Sequence, residues 1–282
     1  MAPSAPVQRG VSVSTLVMGV VNVTPDSFSD GGKWFTTGAA VAHGLDLLAQ
    51  GADILDVGGE STRPGADRPN EEEELRRVIP VIRELSQAGA RISVDTMRAS
   101  VAAQAVEAGA SIVNDVSGGL ADPEMALVVA AAGVPFVVMH WRGHSDTMQD
   151  HASYDDVVAD VCQALGERVS DLCARGVGPQ QLILDPGFGF AKLPGHNWSL
   201  LAHLDALQSL GFPVLVGTSR KTFLGALGVH DGEAFGPPAQ RDVETAATTV
   251  IAGLAGVWGV RVHDVASSVG ALRVVAAVEA AR

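Results

Sequence analysis

The stretch "GVRVHD" at 259–264 sets an arginine and a histidine two residues apart in an apolar run. Side chains alternate along a strand, so Arg261 and His263 share one face and Val260 and Val262 the other. A planar guanidinium beside an imidazole donor is an anion grip suited to phosphate. The competing reading is a surface ion pair with Asp264, which the apolar neighbours oppose. "TSRKTFLG" adds Arg220 and Lys221 ahead of a helix start, where Thr218 or Ser219 is placed to cap. One of these two cations is expected to be solvated. "ESTRPGA" adds Arg63, held extended by the proline that follows, with a solvated loop arginine as its alternative. Net charge is −13 and only Lys33, Lys192 and Lys221 are lysines, so an anion site must be assembled from a few local cations.

Three more groups close apolar runs: Asp95 in "RISVD", Asn114 in "SIVND" and Asp185 in "LILD". A carboxylate there is costly unless paired or hydrogen-bonded, so these suit a polar heterocycle rich in N–H donors. The alternative use is helix capping, which fits Asp122 or Asp155 better. Asp56 is a further candidate, with a turn as its alternative because Gly58 and Gly59 follow. In "DPGFGFAK", Gly187 and Gly189 flank Phe188 and allow the backbone close to a flat ring, or simply make a turn. His140, His144 and His151 lack metal-ligand spacing. There is no P-loop and no nucleophile elbow.

These groups need elements to aim them. Eight apolar runs read as strands: 16–21, 53–57, 92–95, 111–115, 135–139, 182–185, 213–217 and 259–262, with helical patterns between. Eight alternations predict an α/β fold, a TIM (β/α)8 barrel in one domain over 16–282, with 1–15 an extension or short hairpin. An open doubly wound sheet is the alternative, weakened by the lack of a G-x-G-x-x-G after the first strand. In a barrel the C-terminal strand ends carry the site, and here they deliver Asn22, "GGESTRPG", Asp95, Asn114, "HWRGHS", "DPGFGFAK", "TSRK" and "RVHD". The exit of the first strand, "GVVNVTPDSFSDGG", divides into a rim residue, Asn22, and a lid over Thr24–Gly32 carrying Asp26, Asp30 and Phe28.

Of the 282 residues, 47% are apolar and 18% charged, an ordinary globular balance. No apolar run is long enough to span a membrane and no signal sequence opens the chain, so a cytoplasmic location is expected. The acidity opposes nucleic acid or an anionic membrane as partner. Cys162 and Cys173 read as small helix residues in a reducing compartment.

Taken in order, "MGVVNVTPDSFSDGG", "DVGGESTRPGA", "SVDT", "NDVSGG", "MHWRG", "LDPGFGFAK", "GTSRKTFLG" and "VWGVRVHDV" resemble the dihydropteroate synthase family of folate biosynthesis from about Met18 to the last helix. The resemblance implies a TIM barrel, usually a homodimer, that uses Mg²⁺. It implies that 6-hydroxymethyl-7,8-dihydropterin pyrophosphate is joined to p-aminobenzoate with release of pyrophosphate, through an SN1-like pterin cation, and that sulfonamides mimic the aminobenzoate. Carried over by position, Asn22 sits near the metal and pyrophosphate, and Arg63, Arg261 and His263 hold the phosphates. Asp95, Asn114, Asp185, Lys221, Arg261 and Met139 hold the pterin. Thr62, Pro64, Phe188 and Phe28 frame the aminobenzoate, with Ser219 and Thr222 near its carboxylate. Asp95, Asn22, Lys221 and Asp30 are the expected catalytic set. The alternatives are a pterin-dependent methyltransferase and a non-catalytic pterin-binding paralogue.

Overall fold

The computed structural model describes residues 15–24, 37–60, 68–143, 151–227 and 236–282. The expected N-terminal hairpin, the lid beyond Thr24, and Phe28, Asp30, Thr62, Arg63 and Pro64 lie outside these residues.

Eight parallel strands run β1 (Leu16–Asn22), β2 (Ile54–Gly58), β3 (Ile92–Asp95), β4 (Ile112–Asp115), β5 (Phe136–Met139), β6 (Leu182–Asp185), β7 (Leu215–Val216) and β8 (Gly259–Val262). Their order is β6-β5-β4-β3-β2-β1-β8-β7, and a parallel bridge from Leu184 to Val214 joins the two ends of that row into the barrel. β7 is shorter than the expected 213–217 because Pro213 has no N–H to give to a ladder. Its carbonyl still accepts from Leu184 N–H at 2.8 Å and helps close the ring.

Helices wrap the strands. The apolar faces between the two layers form one continuous core, with Leu47, Val78, Ile82, Leu85, Leu165 and Leu200 from helices against Val57, Val94, Val138 and Leu184 from strands. The four glutamates expected at a helix start open α2 (Glu71–Gln87), capped by Asn70, whose side chain accepts from Glu73 N–H. α5 (Val157–Ala174) is capped by Asp156 and not by Asp155: the Asp156 carboxylate accepts from Val158 and Ala159 N–H. The segment 197–211, which reads as one helix, breaks at His203 into Pro194–Ala202 and Leu204–Gln208.

Inside the barrel, Met18, Ile54, Ile112, Val137, Ile183 and Leu215 form a second apolar cluster, separate from the outer core. Alternation then dictates what lies above it. Two residues further along the same faces come Val20, Asp56, Asn114, Met139, Asp185 and Gly217. The register agrees: Met18 pairs with Ile54, Val20 with Asp56, and Asn22 with Gly58. An apolar plug thus carries a polar layer at the C-terminal mouth, as the fold requires of a site. Ile54, fully buried in the plug, tests this. Ile54→Ala should lower unfolding free energy by about 2–5 kcal/mol, the range for a large-to-small change in a core. A shift in the urea midpoint reads this directly, and an unchanged midpoint would contradict a packed interior.

Candidate active site

The centre of the mouth is one guanidinium. Arg261 Nε donates to Asp56 Oδ2 at 2.6 Å and its Nη2 donates to Asp95 Oδ2 at 2.8 Å. Asp56 Oδ2 also accepts from Asn114 Nδ2 at 3.0 Å. Three strands that are not neighbours of β8, namely β2, β3 and β4, therefore converge on a side chain of β8. The surface pair of Arg261 with Asp264 does not form; Asp264 instead caps the last helix, accepting from Ser267 N–H. Asp56 is fully buried and belongs to the site rather than to a turn. The sequence signal was available, since Asp56 shares the inward face with Ile54.

Burial pushes the Asp95 carboxyl up to about 7, against the pull of the Arg261 guanidinium and with the push of nearby Asp56. Asp185 is raised by burial too, while the Gly187 N–H it accepts at 2.7 Å and the Lys221 ammonium act in the other direction. Lys221 is lowered to about 8 by burial and then by Arg261, with Asp185 and Asp95 opposing. Burial thus moves Asp95, Asp185 and Lys221 toward their neutral forms, and opposite charges in the mouth act against it.

Ser219 does not cap the helix after β7. Its Oγ accepts from His263 N–H at 3.1 Å and meets His263 Nδ1 at 3.0 Å. A hydroxyl that accepts from the backbone can donate to Nδ1, an arrangement that puts the imidazole proton on Nε2. Thr218 turns to Thr248 at 2.8 Å. Thr222 begins α8 (Thr222–Gly225) and is exposed. Arg220 is not solvated: it holds Asp242 with two hydrogen bonds, 2.7 and 2.8 Å, and leaves Lys221 as the cation of that turn aimed at the mouth.

Met139 and Asn114 lie where expected, both buried on the inner face. Asn22 stands half-buried at the rim. Phe188 does not face the mouth. It is 1% exposed and stacks on Phe223, 6.5 Å between centroids. The half-buried Phe190 is the phenylalanine of this loop that meets Lys221, whose Nζ lies 3.8 Å from its ring centroid. Two residues of slip separate the readings, because Gly187 and Gly189 both adopt positive φ and turn the loop's faces over.

Sequence reasoning also missed the clamp at the stems of the 61–67 segment. Glu60 holds Arg68 at 2.6 Å across it. Arg98 reaches Glu60, the buried Glu74 and the Pro69 carbonyl, the last at 2.7 Å. Thr96 Oγ1 donates to Glu74 at 2.6 Å.

The mouth can therefore hold an anion on Arg261 and His263 beside a flat polar ring edged by Asp95, Asn114, Asp185 and Lys221. A model of the pterin binding enzyme family matches residues 18–263. The chain is 52% identical over 262 residues to the dihydropteroate synthase of Mycobacterium leprae, covering 93% of this chain and 92% of that one. The chain belongs to the dihydropteroate synthase family. These are transferases that form the C–N bond of dihydropteroate. A solved Xanthomonas albilineans dihydropteroate synthase with 4-aminobenzoic acid superimposes with a TM-score of 0.87 at 49% identity, over 95% of this chain and 94% of that one. Another from the same organism, in complex with 7,8-dihydropteroate, gives 0.84 at 45% identity over 96% and 95%. The family's fold and the barrel read from the strand pattern are the same.

Removing Asp56 tests the centre. Asp56→Ala leaves the half-buried Arg261 guanidinium with Asp95 alone and the buried Asn114 amide without its acceptor, and should cost about 1–3 kcal/mol of unfolding free energy. Chemical denaturation measures it; a loss below about 1 kcal/mol would mean the pair is screened like a surface pair.

Proposed function

We propose that this chain condenses 6-hydroxymethyl-7,8-dihydropterin pyrophosphate with p-aminobenzoate to give 7,8-dihydropteroate and pyrophosphate. The single observation that carries the residue roles is the Asp56–Arg261–Asp95 bridge, which sets a phosphate-binding guanidinium and a buried carboxylate side by side at the barrel mouth.

Arg261 and His263, with Arg63, take the pyrophosphate, whose negative charge grows as the C–O bond to the pterin methylene breaks. Asp185, Asn114 and Lys221 take the polar edge of the pterin, and Met139 lines its pocket. Ionised Asp95 opposes the positive charge left on the ring. The amine nitrogen of p-aminobenzoate then attacks the methylene carbon, forming the C–N bond and losing a proton. No residue forms a covalent bond to substrate. Phe190, with Thr62, Pro64 and Phe28, walls the aminobenzoate, and Ser219 and Thr222 lie on the side of its carboxylate. Asp30 completes the catalytic set from the segment after β1.

Mg²⁺ fits this donor set as a substrate-borne ion. Among the described residues, no group of three or more His, Cys, Asp or Glu is placed to cage a metal. Mg²⁺ commonly keeps its waters and substrate phosphates and takes one or two protein oxygens. Asn22, at the rim and without a hydrogen bond to another described side chain, would supply one. Bound there, the ion would neutralise the leaving pyrophosphate.

A homodimer is part of this reading: the last two helices, Asp242–Ala255 and Val265–Ala280, leave Val243, Ile251, Leu254, Val274 and Val278 exposed. A cytoplasmic location goes with the unpaired thiols of Cys162 and Cys173.

The pH profile tests Asp95. Free-enzyme kcat/KM should fall on the acid side with an apparent pKa near 7, the value to which burial raises this carboxyl, because protonation removes its negative charge. Asp95→Asn should lower kcat by about 10²–10³-fold, as when a group that stabilises transition-state charge is lost, and erase that limb. A variant that keeps the limb assigns it to another group. Product formation measured with and without chelator, with sulfonamide competing against aminobenzoate, tests the reaction itself. Pyrophosphate release without the aminobenzoate product would favour a non-synthase pterin protein.

A further inference from the structure

Lys192 is 4% exposed, yet the reaction assigned above does not use it. Its Nζ lies 3.0 Å from His140 Nδ1 and donates to the Phe190 carbonyl at 3.1 Å. His140 is buried as well, and burial together with the cations Lys192 and Arg142 lowers its pKa to about 3. Its imidazole is therefore neutral, and Nδ1 is an acceptor for the amine.

The loop between β6 and the helix that begins at Pro194 needs such a tie. Gly187, Gly189 and Ala191 have φ of 70°, 74° and 47°. Three left-handed residues at alternate positions, one with a side chain, persist only where surrounding contacts fix them. Those contacts are present. Asp185 accepts from Gly187 N–H, Asn197 Oδ1 accepts from Gly189 N–H at 2.6 Å, and Tyr154 Oη donates to the Ala191 carbonyl at 3.0 Å. Lys192 supplies a side-chain contact to Phe190 itself, whose own N–H donates to the Gly187 carbonyl at 3.1 Å. A direct substrate contact by Lys192 is disfavoured by its place behind the loop: a Cβ built on Gly187 would come within 3.5 Å of Nζ.

We propose that Lys192 is a positioning residue of the site: by tying the Phe190 carbonyl to His140 it sets the Phe190 ring against the Lys221 ammonium and fixes the wall that the aminobenzoate meets. The bond to the Phe190 carbonyl is 3.1 Å and the ring-to-ammonium distance 3.8 Å, so two contacts, both made by Phe190, link Lys192 to the Lys221 cation. The functional half of this inference rests on the synthase reading; the structural half does not.

The chain has three lysines, so lysine labelled with ¹³C at Cε gives three assignable signals from the whole protein. In the wild type, the Hε protons of Lys221 should be shifted upfield by the Phe190 ring, and Phe190→Leu should abolish that shift. Lys192→Met should abolish it too, while raising KM for p-aminobenzoate by about tenfold, the order expected when one buried hydrogen bond is lost, with a smaller change in KM for the pterin pyrophosphate. Lys192→Gln, which keeps one N–H donor, should restore part of both effects, and it takes the place of the methionine variant if that one does not fold. Lys221 signals that stay at wild-type positions without Lys192 overturn the proposal whatever KM does. A lost shift with unchanged KM also overturns it, because Lys192 would then be structural only. A wild type with no ring-current difference from Phe190→Leu overturns it without any Lys192 variant. If the wild type made no product, the synthase reading would fail while the three lysine signals still reported on the tie.

Discussion

One guanidinium organises this barrel's mouth. Arg261 enters from β8 and is caught by Asp56 of β2 and Asp95 of β3, with Asn114 of β4 sharing the Asp56 oxygen. A buried charge is tolerable only when paired and hydrogen-bonded, and the pairing in turn fixes where the fork points. Burial is the largest influence on Asp95 and raises it; the Arg261 guanidinium opposes that rise and the neighbouring Asp56 adds to it. Lys221 and Asp185 influence each other across the mouth by charge, each shifted by burial and partly offset by opposite charge.

The rest of the fold serves that centre. The apolar plug beneath it keeps the polar layer at one level, because alternate residues of the same strands supply both. Around the rim, side chains that never meet the centre tie the chain in place: Arg98 joins Glu60, Glu74 and Pro69, which flank residues 61–67, and Asn197, Tyr154 and Lys192 hold the loop after β6. Arg220, bonded to Asp242, anchors the turn that presents Lys221.

Much of this was legible in the residues. Period-two alternation in "GVRVHD" places Arg261 and His263 on one face, and apolar runs of four to six residues locate all eight strands. Strand ends named Asp95, Asn114 and Asp185 because a carboxylate or amide there has to be accounted for. The misses have physical causes. Asp56 stays an open candidate in the sequence because glycines follow it, although a position two residues beyond Ile54 must face the same interior. Phe188 and Phe190 could not be told apart by alternation, since left-handed residues at 187, 189 and 191 suspend the period. Ser219 and Thr218 were read as caps because a local N–H is the nearest partner in sequence; His263 and Thr248 are nearest in space. The pairs His140–Lys192 and Glu74–Arg98 span 52 and 24 residues, and no local pattern announces them.

The central claim is that the anion site depends on the Arg261 guanidinium as Asp56 and Asp95 hold it, and not merely on a positive charge at that place. Calorimetric titration of pyrophosphate into the wild type and Arg261→Lys, with both shown to be folded, tests it most directly. Lysine keeps the charge but loses the planar fork that bridges Asp56 and Asp95, so affinity should fall by about tenfold or more. Equal affinities would contradict the account and move the anion site away from the centre of the barrel.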